Sequence, residues 1–174
     1  MTPIASKTYK TRKLFLLPLT LDVVLLLILI LVSRYTGSAL QESVILAVIF
    51  IPLLYIFLES VSRQTRIDPE GVVIKKFLRK KALSWGDITN VDLMVVRNKV
   101  YLLLTTTKGM QILSNAYADF TGLIDDVIGY VGDDKVEDGV RGIRERPVKR
   151  ISDIVMTWIG AMILVGVIYF KLSQ

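Results

Sequence analysis

Three apolar stretches, 14–32, 40–58 and 151–172, dominate this chain. Each matches the length of about 20 residues that a helix needs, at about 1.5 Å rise, to cross a hydrocarbon core of about 30 Å. Positive charge is distributed unevenly around them. Lys7, Lys10, Arg12 and Lys13 precede the first stretch, Arg34 alone lies between the first and second, sixteen Lys and Arg lie from Arg63 to Arg150, and Lys171 stands at the far end. Lys and Arg resist translocation, so the basic N-terminal segment 1–13 and the middle of the chain are expected on the cytoplasmic side. The tip at 35–38 and the C-terminus are then expected on the opposite side. The expectation is a multi-pass protein of the cytoplasmic (inner) membrane, with the lipid bilayer as its first partner.

The first stretch has the positive flank of a signal peptide. It is too long for an apolar signal core, however, and lacks a small-x-small cleavage site, and a second stretch follows after seven residues, as in a membrane hairpin. A mean hydropathy of +0.53 beside 22% charged residues fits membrane helices sharing a chain with a soluble domain. The net charge of +6 then points to topology and contact with anionic lipid, and no nucleic-acid partner is expected.

The chain contains no Cys and no His. That removes disulfides, thiolate nucleophiles, Cys/His zinc sites, haem-ligating imidazole and imidazole bases. No phosphate-binding glycine loop or nucleophile elbow is present either. The expectation is a protein without catalysis, metal or cofactor.

Between the second and third stretches, the run Arg66-Ile67-Asp68-Pro69-Glu70-Gly71-Val72 has Pro and Gly where a turn between two strands requires them. A strand is expected over 72–77, followed by a basic turn Leu78-Arg79-Lys80-Lys81 and a short strand over 82–85. Two further strands, 89–96 and 100–106, flank a hairpin at Arg97-Asn98-Lys99. A turn at Thr107-Lys108-Gly109 leads to a short strand over 110–113, broken by Gln111. The period then changes: Phe120, Leu123, Ile124, Val127, Ile128 and Val131 form one apolar helical stripe, with Asp119, Asp125 and Asp126 off it and Gly132 as a stop. Such a stripe most simply closes the open end of a curved sheet.

Two runs carry a resemblance. Thr65-Arg66-Ile67-Asp68-Pro69-Glu70-Gly71-Val72 and Leu83-Ser84-Trp85-Gly86-Asp87-Ile88-Thr89-Asn90-Val91, separated by a basic hairpin, resemble the bacterial pleckstrin-homology-like (PH-like) domains that follow a pair of membrane helices. The resemblance covers about 61–131 and the helical hairpin before it; a third span after the domain departs from the simplest family pattern. It implies an α+β membrane protein in which three transmembrane helices carry a cytoplasmic PH-like β-barrel or sandwich, 61–132, capped by a C-terminal helix. It further implies that Gly71 makes a turn, that Trp85 and Ile88 plug the core, that Asp87 caps a local turn, and that the domain binds rather than catalyses.

Some residues are candidates for that binding. Asp22 lies about 12 Å into the first stretch on a straight helix. A charge at a helix centre costs about 2.5–3.5 kcal/mol on insertion scales, so Asp22 reads as a contact to a partner or within a helix bundle; a headgroup position with a late helix start is the alternative. Gly160 and Gly166 permit close packing of the third span, while Thr157 and Ala161 form a loose small-xxx-small pair. Lys75, Lys76, Arg79, Lys80 and Lys81 could grip lipid phosphates or simply form a solvated turn. The charged linker 133–150 starts acidic and ends with Arg146, Lys149 and Arg150, which read as a membrane-proximal anchor or a contact for a partner. Its Gly139, Gly142 and Pro147 argue against one continuous helix. Together these residues point to a non-catalytic accessory, scaffold or assembly subunit of a larger membrane complex, docked against other membrane protein subunits. The alternative is an anionic-lipid-binding module.

Overall fold

The computed structural model describes residues 6–97, 99–145 and 152–173. In chain order the elements are β1 (Lys7–Lys10), α1 (Lys13–Tyr35), α2 (Leu40–Ser62), β2 (Gln64–Asp68), β3 (Gly71–Lys76), β4 (Arg79–Ser84), β5 (Ile88–Val96), β6 (Lys99–Thr106), β7 (Gly109–Ser114), α3 (Phe120–Val131), α4 (Asp138–Glu145) and α5 (Ser152–Leu172). Two compact units result: the three long helices, and a β-rich unit built from the residues before α1 and those between α2 and α5.

The β-rich unit is α+β, with two antiparallel sheets in the orders β1-β2-β3-β4 and β5-β6-β7. Its core lies where both sheets meet α3, with Val72 and Ile74 from one sheet, Leu102 and Leu104 from the other, and Leu123 and Val127 from the helix. The expected stripe is the buried face of α3. Asp119 does more than stay wet: its carboxylate accepts the Gly122 N–H at 2.9 Å and caps the helix. Ile88 is fully buried. Half-buried Trp85 stacks on Tyr130 of α3 (centroids 4.7 Å apart, planes 9° apart) and donates its indole N–H to the Asp68 carbonyl at 2.9 Å. Gly71 opens β3 opposite Ser84, and a Cβ there would overlap the Leu83 carbonyl oxygen.

Three local assignments differ from the sequence reading. Residues 7–10, read as part of a basic N-terminal segment, form an edge strand whose register runs from Lys7–Ile67 to Lys10–Gln64. Tyr9 anchors that strand. It is buried and donates its hydroxyl to Asp126 on α3, with Lys7 also 3.5 Å from that carboxylate. The same chain continues against the segment after β7: Ala118 N–H bonds to the Lys10 carbonyl, Arg12 N–H to that of Ala116, and the Arg12 Nε to that of Tyr117. Second, Arg79, Lys80 and Lys81 belong to strand β4, because Leu78 takes φ +62° and Phe77-Leu78 alone completes the turn. Third, the segment read as a linker returns to the core. Val136 pairs with Val91 in a parallel bridge, Val140 is fully buried, and α4 contains Gly139 and Gly142.

The three long helices are long and apolar enough to cross a membrane. Helix α1 packs on α5, and its buried positions Leu19, Asp22, Leu26, Leu29 and Ser33 form one stripe. A polar cluster ties the ends of all three. Lys171 of α5 pairs with Glu42 of α2 at 2.5 Å and donates to Ser38 at 2.7 Å, while Ser33 of α1 donates to Glu42 at 2.8 Å.

Gly71→Ala is expected to cost about 1–3 kcal/mol, as overpacking against rigid backbone does, read as thermal unfolding of the full chain in detergent. Burial, reinforced by the Asp126 carboxylate, pushes the Tyr9 phenol up from its ordinary value. The protonated phenol therefore stabilises the fold at neutral pH. That contribution is lost as pH rises above about 10, where the unfolded phenol ionises and the folded one does not. Tyr9→Phe is expected to lose about 1–2 kcal/mol near neutrality, and to show a shallower loss of Tm than the parent between about pH 9 and 11.

Candidate functional site

Strand alternation locates the first candidate surface. In β3 and β4 the core-facing positions are Val72, Ile74 and Lys76, and opposite them Leu83, Lys81 and Arg79. The apolar pattern thus gives way to charge at one end of the sheet, on the face that elsewhere is buried. There Ile74, Lys76, Arg79, Lys80, Lys81 and, from β7, Gln111 line a cleft of about 330 Å³. None of these lining residues is acidic. Lys75 faces Lys80 on the outer surface, and Lys76 faces Arg79 across the ladder. Like charges directly opposite one another destabilise a sheet, so this hairpin is not optimised for its own stability. At its tip Leu78 is 86% exposed.

The five basic residues singled out in the sequence are therefore gathered on one hairpin. Arg146, Lys149 and Arg150 lie outside the described residues. Gln111 and Leu78 were not singled out as ligand-facing, although Gln111 interrupts an apolar strand and Leu78 is a large apolar residue in a turn, and both signals were legible.

The second surface is the outer face of β5-β6-β7. Met94 and Val96 on β5, Tyr101 and Leu103 on β6, and Met110 and Ile112 on β7 share it with Asp92, which lies opposite Leu103, while Met94 lies opposite Tyr101 and Ile112 opposite Leu103. Met94, Val96, Met110 and Ile112 are each 43–50% exposed. Arg97, Lys99 and Lys108 stand at the turns bounding this face. Its sequence signal is apolar residues at both strand parities, as in a strand covered on two sides.

The third lies in the helical unit. Asp22 is buried in the α1 stripe, and a Cβ on Gly160 would stand 3.5 Å from both of its carboxylate oxygens. Asp22 and Gly160 are thus brought together by α1 and α5 of the same chain. Among the described residues, Asp22 Oδ1 has no hydrogen-bond partner. Gly166 lies in α5 with nothing within 4 Å of where its Cβ would stand, and it joins no cluster.

The 3.5 Å spacing is ordinary van der Waals contact, so Gly160→Ala is expected to stay within about 0.5 kcal/mol of the parent. Gly160→Leu is expected to cost about 1–3 kcal/mol by forcing α5 away from the Asp22 carboxylate, measured as thermal unfolding in detergent. No protein-family model matches the chain, and no curated protein or solved structure proved similar to it.

Proposed function

We propose that this chain is a non-catalytic accessory or scaffold subunit of a larger membrane protein complex. Three helices anchor it in the cytoplasmic membrane, and its β-rich unit is a PH-like interaction domain on the cytoplasmic side. Two antiparallel sheets of four and three strands followed by a helix support the PH-like reading. The concentration of Lys and Arg before the first span and between the second and third supports the orientation. The lack of His and Cys leaves few groups suited to acid–base or nucleophilic work near neutral pH.

The apolar outer face of β5-β6-β7 carries the reading. Six apolar side chains grouped around the single carboxylate of Asp92 on one exposed sheet face mark an interaction surface. Tyr101 is the kind of aromatic anchor that dominates interface energies, and Leu103 and Ile112 extend the apolar area beside it. The basic residues Arg97, Lys99 and Lys108 at its ends select a partner whose apolar contact surface is bordered by Asp and Glu.

The test replaces Ile112 or Met94 with a photo-crosslinking residue in the full-length membrane protein. The expected result is a crosslink to one membrane protein that also co-purifies stoichiometrically in mild detergent. Leu103→Glu is expected to lower its recovery at least about tenfold, the equivalent of ~1.4 kcal/mol. A folded Leu103→Glu variant with unchanged recovery, or a parent chain that purifies alone and crosslinks to nothing, would remove this face and the scaffold reading with it.

A further inference from the structure

We infer that Asp22 is an intramembrane docking point, and that its occupant is a spanning helix of a different protein with a Lys or Arg inside its apolar stretch. The inference rests on the scaffold reading for the existence of a partner and deepens it by stating what the partner's membrane segment contains.

The Asp22 carboxylate has no group of its own chain to answer it. It is 6% exposed on the α1 stripe beside Leu19, Leu26 and Leu29, and its Oδ1 has no hydrogen-bond partner among the described residues. In the helical unit, Lys13–Val61 and Ile151–Gln174, the sequence holds three cations: Lys13, Arg34 and Lys171. Lys13 and Arg34 are about 14 Å and about 18 Å from Asp22 along the helix axis, beyond the reach of either side chain. Lys171 lies about 16 Å along α5 from Gly160 and is engaged with Glu42 and Ser38. Helix α2 contains neither Lys nor Arg. The nearby hydroxyls are also committed: Thr20 donates to the Leu16 carbonyl, and Thr157 to the carbonyls of Asp153 and Ile154. Across the seam stand Gly160 and Ala161, which have no polar side chain.

A carboxyl group in hydrocarbon and a cation in hydrocarbon are each costly alone, and such groups pair with one another. The low dielectric of the bilayer strengthens the attraction between them. Lys and Arg suit the task because their long stems are apolar and pass among apolar side chains, leaving only the head to meet the carboxylate. The approach is short. A pair of helices has one seam and no deeper interior, so Asp22 lies within one side chain of the surface of the α1–α5 pair. Gly160 and Ala161 keep the α5 wall thin, and small residues of this kind let another helix come close. Helix α2, which has no buried residue, does not close over the seam as a third wall. A second copy of this chain carries its cations at the same helix ends and cannot supply the missing charge, which assigns the role to a different protein.

The absence of Cys makes Tyr35→Cys, 91% exposed at the end of α1, a single site for a donor fluorophore. The full chain so labelled is placed in nanodiscs with a synthetic spanning peptide of leucine and alanine that bears an acceptor and has Lys, Leu or Glu at its centre. Energy transfer is expected to show the Lys peptide binding at least about tenfold more tightly than the Leu peptide. That preference is expected to vanish in Asp22→Asn, which keeps the shape of the side chain, and to turn toward the Glu peptide in Asp22→Lys. Equal binding of the Lys and Leu peptides, or a preference that survives Asp22→Asn, overturns the inference. In the native membrane, a photo-crosslinking residue at Val23 is expected to capture a spanning segment that contains Lys or Arg, and to lose it in Asp22→Asn; capture of a segment without a basic residue overturns the inference. The two readings fail separately. A chain that purifies alone yet prefers the Lys peptide removes the scaffold reading and leaves the docking chemistry. Partner recovery that falls with Leu103→Glu but not with Asp22→Asn removes the docking point and leaves the scaffold.

Discussion

The pairing of β1 with β2 is the constraint on which the rest of this architecture depends, because those two strands are neighbours in the sheet but are separated in sequence by both helices of a membrane-length hairpin. Helices α1 and α2 between them are the same length, 23 residues each. With β1 in place, Tyr9 reaches Asp126 and Arg12 reaches the Tyr117 carbonyl, so the N-terminal strand ties the four-stranded sheet to α3 and to the segment after β7.

The β-rich unit is well packed in its centre and poorly satisfied at two places on its surface. Strands β3 and β4 are ordinary core partners at one end of their ladder, with Val72 opposite Leu83, and a charged pair at the other, with Lys76 opposite Arg79. Strand β6 buries Val100, Leu102 and Leu104 on one side and shows Tyr101 and Leu103 on the other. Both features act against the stability and solubility of the isolated unit, and natural proteins depart from local rules mainly where a surface is used.

The helical unit shows the same economy. Asp22 lies among Leu19, Leu26 and Leu29 in the buried stripe of α1 and is accommodated by the absence of a side chain at Gly160. At the other end of the helices Lys171, Glu42, Ser33 and Ser38 satisfy one another, so charges that would be costly in hydrocarbon are paired near the helix ends.

Local pattern is what the sequence by itself determined: three apolar helices of spanning length, the strand run from β3 to β7, the turn at Gly71, and the stripe of α3 with its stop at Gly132. Each of these is written in neighbouring residues, through a period of 2 or 3.6 or through turn chemistry, and local rules read them. Only the tertiary structure decided that Lys7–Lys10 is a strand, since four residues with one large apolar side chain, Tyr9, between two lysines are too short a run to carry a strand signal until β2 is beside them. It also moved Arg79, Lys80 and Lys81 from turn to ladder, returned Val136 and Val140 to the core, and set Asp22 against Gly160. Those outcomes depend on register and on contacts between residues far apart in the chain, and a period of 2 or 3.6 says which residues share a face but not what that face will meet.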